Sequence, residues 1–315
     1  MCKLHFSTVV SEHHLFKCIV MHNTLGYHCK DFHLFILCMD INAYGILNDM
    51  HWKDVTLLQL HEIEDEDLLK AKSNRSYHEY CWTLKPTMLQ YVITKFPTAQ
   101  YYAHLDADLC FFSNPEILFN EMPNATLYLT DHHNSKRFMH YYPLTGRYNT
   151  GFVGCSNHPI ALEAITWWKN KCMNKCTVEM DVVNKTFGDQ RYVEDWPRLF
   201  SNVHVINTIG ANAALWNIEK YEVSFQNEKV LLNGEPLIFY HFSGFTILST
   251  KEFNLCWYYY IKDDRTVKGI YLPYMILLSE TIEKIKKDYP HFSKGFVHKS
   301  TVPNTHYYRL SQSVC

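Results

Sequence analysis

The stretch Tyr101-Tyr102-Ala103-His104-Leu105-Asp106-Ala107-Asp108-Leu109-Cys110-Phe111-Phe112 decides how the rest of the chain is read. Tyr102, Ala103 and Leu105 suit a buried strand, and Asp106 and Asp108 fall where such a strand should end. In open α/β sheets the ligand crevice lies at the carboxyl ends of the strands. Side chains two apart on an extended segment point the same way. The two carboxylates therefore converge, and like charges so placed ask for a cation. Hard oxygen ligands suit Mg²⁺ or Mn²⁺ bridging to phosphate. A bland reading, two Asp residues capping a turn, stands beside this one.

Outward from this strand, the order of elements is α/β. Leu4 to Val10 reads as strand one, and helical spacing follows over His13 to His28. Phe32 to Met39 is a second strand, Ala43 to Met50 a short helix, and Asp54 to Leu58 a third strand. Such β-α-β-α-β alternation predicts a doubly wound, mostly parallel sheet flanked by helices. No Gly-x-Gly-x-x-Gly follows strand one and no P-loop occurs anywhere, so phosphates must be held by a metal and by side chains. The acidic run Glu62 to Asp67 reads as a solvated helix start. Tyr77 to Phe96 is helical on both sides of Lys85-Pro86, with a kink or restart expected at Pro86. Lys85 is either an ordinary surface lysine or one that reaches a donor phosphate or sugar.

Beyond the acidic strand, Thr126 to Thr130 is a strand, and Asn149 to Gly154 enters another. Pro159 to Cys176 is a helix. Phe187 to Tyr192 opens a further helix that stops near Trp196-Pro197. Val203 to Ile206 is a strand, and Leu237 to Gly244 a buried one. The expected division is a domain over residues 1–255 and a C-terminal helical extension and tail over 256–315.

Composition narrows the class. The chain has 315 residues, 30 Lys and Arg against 32 Asp and Glu, and a net charge of −2. It has no global basic field, so nucleic acid is not the expected partner. The 11 Cys are scattered, with no Cys-x-x-Cys, which fits free thiols in a reducing compartment. Neither a signal peptide nor an apolar run of spanning length is read, so a cytoplasmic location is expected, possible also at the inner face of a membrane. Lys284, Lys286 and Lys287 beside Ile282 and Ile285 form a basic amphipathic helix. It either rests on an anionic membrane surface or docks on the main domain.

Five blocks in fixed order carry a family resemblance: Leu105-Asp106-Ala107-Asp108, Tyr148-Asn149-Thr150-Gly151-Phe152, Gly188-Asp189-Gln190-Arg191, Leu215-Trp216-Asn217 and His241-Phe242-Ser243-Gly244. Over roughly residues 4 to 250 the chain resembles the nucleotide-sugar glycosyltransferases of the GT-A fold, nearest to glycosyltransferase family eight and its bacterial polysaccharide-cluster relatives. Where that family carries Lys-Pro-Trp after the His-x-x-Gly block, this chain has Phe245-Thr246-Ile247.

The resemblance implies transfer of a sugar from a nucleotide diphosphate, of uridine in the nearest case, to an acceptor hydroxyl. It implies Mn²⁺ or Mg²⁺ on Asp106, Asp108 and His241. Thr8, Lys85, Asp106, Asn149, Gly151, Trp216, Asn217 and Gly244 would contact the donor, with Thr8 near the base. Asp189 and Gln190 would face the reacting carbon. Retention of configuration is implied; Asp131 is the candidate base for inversion. The bland readings are a core histidine for His241 and a helix N-cap for Asp189. The acceptor is open among a saccharide, a lipid-linked sugar and a protein. Two other functions stay open: a sugar nucleotidyltransferase, and an inactive transferase-like assembly partner in polysaccharide synthesis.

Overall fold

The computed structural model describes residues 3–311. In chain order its strands are β1 (Leu4–Val10), β2 (Phe32–Cys38), β3 (Val55–Gln59), β4 (Tyr101–Leu105), β5 (Leu109–Phe111), β6 (Leu127–Asp131), β7 (Tyr148–Ser156), β8 (Val203–Ile206), β9 (Ala213–Ala214), β10 (Val223–Gln226), β11 (Lys229–Leu232), β12 (Glu235–Pro236), β13 (Phe239–His241), β14 (Thr246–Ile247), β15 (Glu252–Asn254) and β16 (Tyr307–Arg309).

Two compact units make up the chain. The first contains the residues up to Ser11, Cys29–Asp106 and Pro115–Asn207. The second contains Glu12–His28, Ala107–Asn114 and the residues from Thr208 onward. The expected boundary near residue 255 matches no limit of these units: the C-terminal segment joins a unit that also takes in Glu12–His28 and Ala107–Asn114.

The first unit is built on a seven-stranded sheet in the order β3-β2-β1-β4-β7-β6-β8. All its strands run parallel except β7, which is antiparallel to both β4 and β6. The strands β1, β2 and β4 are buried along nearly their whole length, as expected of a sheet covered on both faces. Phe6, Leu34, Tyr102 and Leu105 are fully buried, each worth about 1.5–3 kcal/mol over exposure.

The helix Tyr77–Lys95 continues through Pro86 without the expected restart. An interior proline costs about 3 kcal/mol in local helix stability. Burial of Leu84, Met88, Leu89 and Val92 on that helix outweighs it. Ser76 caps the start, its hydroxyl and backbone both paired with Glu79. The acidic run begins another helix in the same way, with Asp65 accepting from the backbone of Leu68 ahead of Glu66–Ser73.

The second unit carries three small sheets, β10-β11-β12, β5-β13-β9 and β14-β15-β16. The first is a pair of hairpins. Asn227 and Glu228, then Asn233 and Gly234, all have positive φ, the backbone that two-residue hairpin loops require. The expected long strand Leu237–Gly244 shrinks to Phe239–His241, which pairs with β5 and β9. The basic helix spans Leu272–Asp288 after a π-helical turn, Val267–Tyr271. The segment beyond it is not a free tail, since β16 adds antiparallel to β15. Ile282 and Ile285 are buried, so they are not on offer to a membrane surface. No helix among the described residues is long and apolar enough to cross a membrane.

Candidate active site

Asp106 and Asp108 lie at a parting of the chain. Asp106 is the last residue of a segment of the first unit, and Asp108 stands one residue into the second. Each is fixed by its own sheet.

In the first unit, the backbone N–H of Asp106 donates to the carbonyl of Gly151 at 2.8 Å, one step beyond the Leu105–Phe152 register of β4 and β7. Lys85, from the helix Tyr77–Lys95, bonds both oxygens of the Asp106 carboxylate, Oδ1 at 2.7 Å and Oδ2 at 3.0 Å. The same ammonium lies 3.8 Å from Oδ2 of Asp189. Lys85 is therefore buried and ion-paired, which removes the surface-lysine reading.

His104 adds a contact that the motifs do not single out, with Nε2 3.3 Å from Oδ1 of Asp106. Its signal in the sequence is the period of two that places His104 and Asp106 on one side of the strand. Burial pushes the His104 imidazole below its usual range, against the opposing pull of Asp106. It is thus a neutral hydrogen-bonding group rather than a second cation.

Asp189 is buried and does not start a helix. It sits in a turn, and the short helical segments begin only at Tyr192 and Trp196, with Pro197 inside the second rather than ending it. The N-cap reading therefore fails. Gly188, just before it, has φ +52, and a Cβ there would meet the Trp82 ring at 3.1 Å. The tight turn that presents Asp189 thus depends on glycine. The Asp189 carbonyl accepts from Trp168 Nε1 at 2.9 Å, while its Oδ2 has no hydrogen-bond partner. Burial raises the Asp189 carboxyl above its usual range; Asp106 adds to this and Lys85 opposes it.

Other expected residues of this unit act mainly on backbone. Gln190 donates to the carbonyl of Thr145 at 2.5 Å. Asn149 Oδ1 accepts from the N–H of Gly151 at 2.9 Å, beside a register shift between β6 and β7. The two thereby shape the backbone that holds Asp106. Thr8 lies within β1, two residues before its end, and is fully buried with its hydroxyl lacking a hydrogen-bond partner. Asp131 is locked to Arg147, Nε to Oδ2 at 2.6 Å, and accepts from the His133 backbone at 2.7 Å. Although burial works the other way, these partners hold its carboxyl below its usual range. A carboxylate so committed is a poor proton acceptor.

In the second unit, His241 ends β13 opposite Leu109 of β5. The N–H of Phe242 donates to the Asp108 carbonyl at 3.0 Å, and His241 Nε2 stands 3.2 Å from Asp108 Oδ1. Burial would raise the Asp108 carboxyl, but His241, Lys17 and His14 outweigh it, so it stays ionised well below the usual range. Trp216 packs its ring edge-on to His241 at 5.2 Å. Asn217 is buried, accepting from Ala214 N–H at 2.9 Å and donating to the Asn212 carbonyl at 3.0 Å, so its amide braces the loop. Gly244 has φ +73, and a Cβ would come 3.0 Å from Leu215 Cδ2. Gly244→Ala should therefore lower stability by about 1–2 kcal/mol, read as a fall in Tm by calorimetry.

No family model matches the chain. Uncharacterized protein YfnD of Bacillus subtilis (strain 168) is 55% identical over 310 residues, covering 98% of this chain and all of YfnD. The chain belongs to the YfnD family. Uncharacterized protein YfnF of the same organism is also similar, 33% identical over 254 residues, or 78% of this chain and 83% of YfnF. Among solved structures, the galactosyltransferase LgtC in complex with donor and acceptor sugar analogues matches with TM-score 0.58 at 10% identity. The match covers 88% of this chain and 95% of LgtC. An active-site variant of LgtC gives 0.52 at 10% identity, over 89% and 95%. At such identity the likeness shows the fold, and this YfnD-family chain has the GT-A glycosyltransferase fold.

Proposed function

We propose that this protein is a retaining, metal-dependent glycosyltransferase of the family-eight type, moving a sugar from a uridine diphosphate donor to an acceptor hydroxyl. The observation that carries the reading is the Asp108–His241 pair at 3.2 Å, with Asp106 two residues away along the chain. The donor set of two carboxylates and an imidazole fits Mn²⁺ or Mg²⁺. Asp106, Asp108 and His241 would hold the ion. When bound, it supplies Lewis-acid stabilisation to the charge that builds on a leaving diphosphate.

The chain's own residues do the rest. Lys85 binds Asp106 and reaches toward Asp189, fixing both carboxylates. Asp189 keeps an oxygen free of hydrogen bonds in a buried turn, which suits a group facing a cationic sugar carbon. Asn149 and Gly151 shape the sugar's backbone wall, and Trp216 and Gly244 flank His241. Asp131, spent on Arg147, favours retention over an inverting base.

Thermal shift with Mn²⁺ across a panel of nucleotide sugars tests the donor. A bound donor raises Tm by mass action, by about 2.7 kcal/mol of stability at a hundredfold excess over Kd. Uridine diphosphate sugars should give the largest shift, and donor hydrolysis should accompany it. Proton NMR of product from an α-linked donor should show an α linkage. A β product overturns retention; formation of a nucleotide sugar and pyrophosphate from a sugar phosphate and a nucleoside triphosphate would mark a nucleotidyltransferase instead. Binding without any turnover would mark an inactive partner.

A further inference from the structure

We propose that Lys17 is an anion-binding residue, forming with the first turn of its helix the cationic seat for the donor's diphosphate beside Asp108 and His241. The inference deepens the donor reading and rests on it for the identity of the anion.

Lys17 stands in the first turn of the 14-residue helix Leu15–His28, and the whole residue is only 8% exposed. A buried ammonium normally has a carboxylate partner, because an unpaired buried charge is expensive. Lys17 has none at ion-pair distance among the described residues. Its Nζ donates to the carbonyl of Phe245 at 2.9 Å and lies 6.0 Å from the centre of the Phe245 ring. An ammonium carries three donors, and the neutral carbonyl takes one of them.

The charge inventory near Asp108 points to the missing partner. His241, Lys17 and His14 all act on this one carboxylate. Asp108 in turn is what opposes the burial that lowers the Lys17 ammonium. Lys17 is buried with one neutral carbonyl as its hydrogen-bond partner, so its positive charge is left to attract an anion. The positive end of the helix dipole adds to it. Adjacent phosphates match such a seat, since Lys serves phosphate as a point charge that needs no fork geometry. The anchoring carbonyl belongs to Phe245, the residue after Gly244, so the ammonium is held at the end of the His241–Gly244 block.

The test uses the full chain and the magnesium complex of inorganic pyrophosphate as probe, measured by titration calorimetry on wild type and Lys17→Met. Methionine keeps the length and removes the charge, so Tm should be unchanged or higher. Pyrophosphate affinity should fall at least about tenfold, as expected for a lost charge-assisted contact. Should Lys17→Met fail to fold, Lys17→Gln supplies the same comparison.

Unaltered affinity in the variant overturns the proposal, as does a wild type that binds no pyrophosphate. A lower Tm with unaltered affinity would mark Lys17 as a brace for the Phe245 carbonyl only, which also overturns it. The donor reading fails separately. A wild type that binds pyrophosphate through Lys17 but no nucleotide sugar keeps the anion seat and loses the transferase. Nucleotide-sugar binding with no Lys17 dependence does the reverse.

Discussion

Asp108→Asn is expected to abolish metal-dependent donor turnover, with a loss on the order of a thousandfold, while the fold survives. The residue combines two tasks that the substitution separates. Its backbone carbonyl accepts from Phe242 and keeps β5 in register with β13, and asparagine leaves that bond intact. Its carboxylate carries the negative charge that His241, Lys17 and His14 hold ionised, and asparagine removes it. Cation affinity should collapse, because a neutral amide is a far weaker ligand for a hard divalent ion. Circular dichroism should match wild type, and titration with Mn²⁺ should show no binding heat.

The carboxyl's lowered range sets the pH dependence of its pairing. A group whose folded value is depressed contributes stability that is present above its unfolded value and lost as pH falls through the folded one. The Asp108 contribution should therefore be intact at neutral pH and fade only in strong acid. Full turnover by Asp108→Asn, or full turnover of wild type in excess chelator, would end the metal reading.

Much of this arrangement is legible in the sequence, and the parts that are not have identifiable causes. The strand Leu4–Val10 appears in the structure as read because a short run of β-branched and apolar residues before a helix has one good placement in a covered sheet. The direction of β7 is not readable, since antiparallel and parallel neighbours of a buried strand have the same apolar pattern. The departure of Leu109–Phe111 into another sheet is hidden for a different reason. Its partner Phe239–His241 lies about 130 residues away, and nothing local encodes so distant a pairing.

The second hairpin does carry a local signal: Asn233-Gly234, both with positive φ, is a hairpin turn between two short strands. Residue types suited to the chemistry stand near one another within each unit, Lys85 with Asp106 and Asp189, Asp108 with His241. Their partners in burial are not legible. His104 and Lys17 look ordinary in sequence because the face a residue presents decides its burial, and that face is set by tertiary packing.

Asp189→Asn should separate catalysis from stability most clearly. Lys85 is shared between Asp106 and Asp189 at unequal distance, 2.7 Å against 3.8 Å. The nearer carboxylate takes most of the charge compensation. Asp189 is left buried, under-compensated and raised above the ordinary carboxyl range, with burial as the largest cause. For a group whose folded value is raised, the stabilising contribution is present below the unfolded value and lost as pH rises through the folded one. Once ionised, Asp189 therefore costs the fold stability. Asp189→Asn should leave Tm at pH 7 equal to or above that of wild type, and should flatten the decline of stability from about pH 4 upward.

Catalysis should move the other way. A negative charge held without a hydrogen bond on one oxygen costs stability in the resting protein and is useful when a positive sugar carbon forms opposite it. Removing it deletes an interaction made mainly in the transition state. The expected result is a loss on the order of a hundredfold in kcat, with KM for the donor little changed. Asp131→Asn should cost far less in kcat, since its charge is already spent on Arg147. A stable Asp189→Asn enzyme with near wild-type kcat, alongside a dead Asp131→Asn, would transfer the catalytic role to Asp131 and with it reverse the stereochemistry.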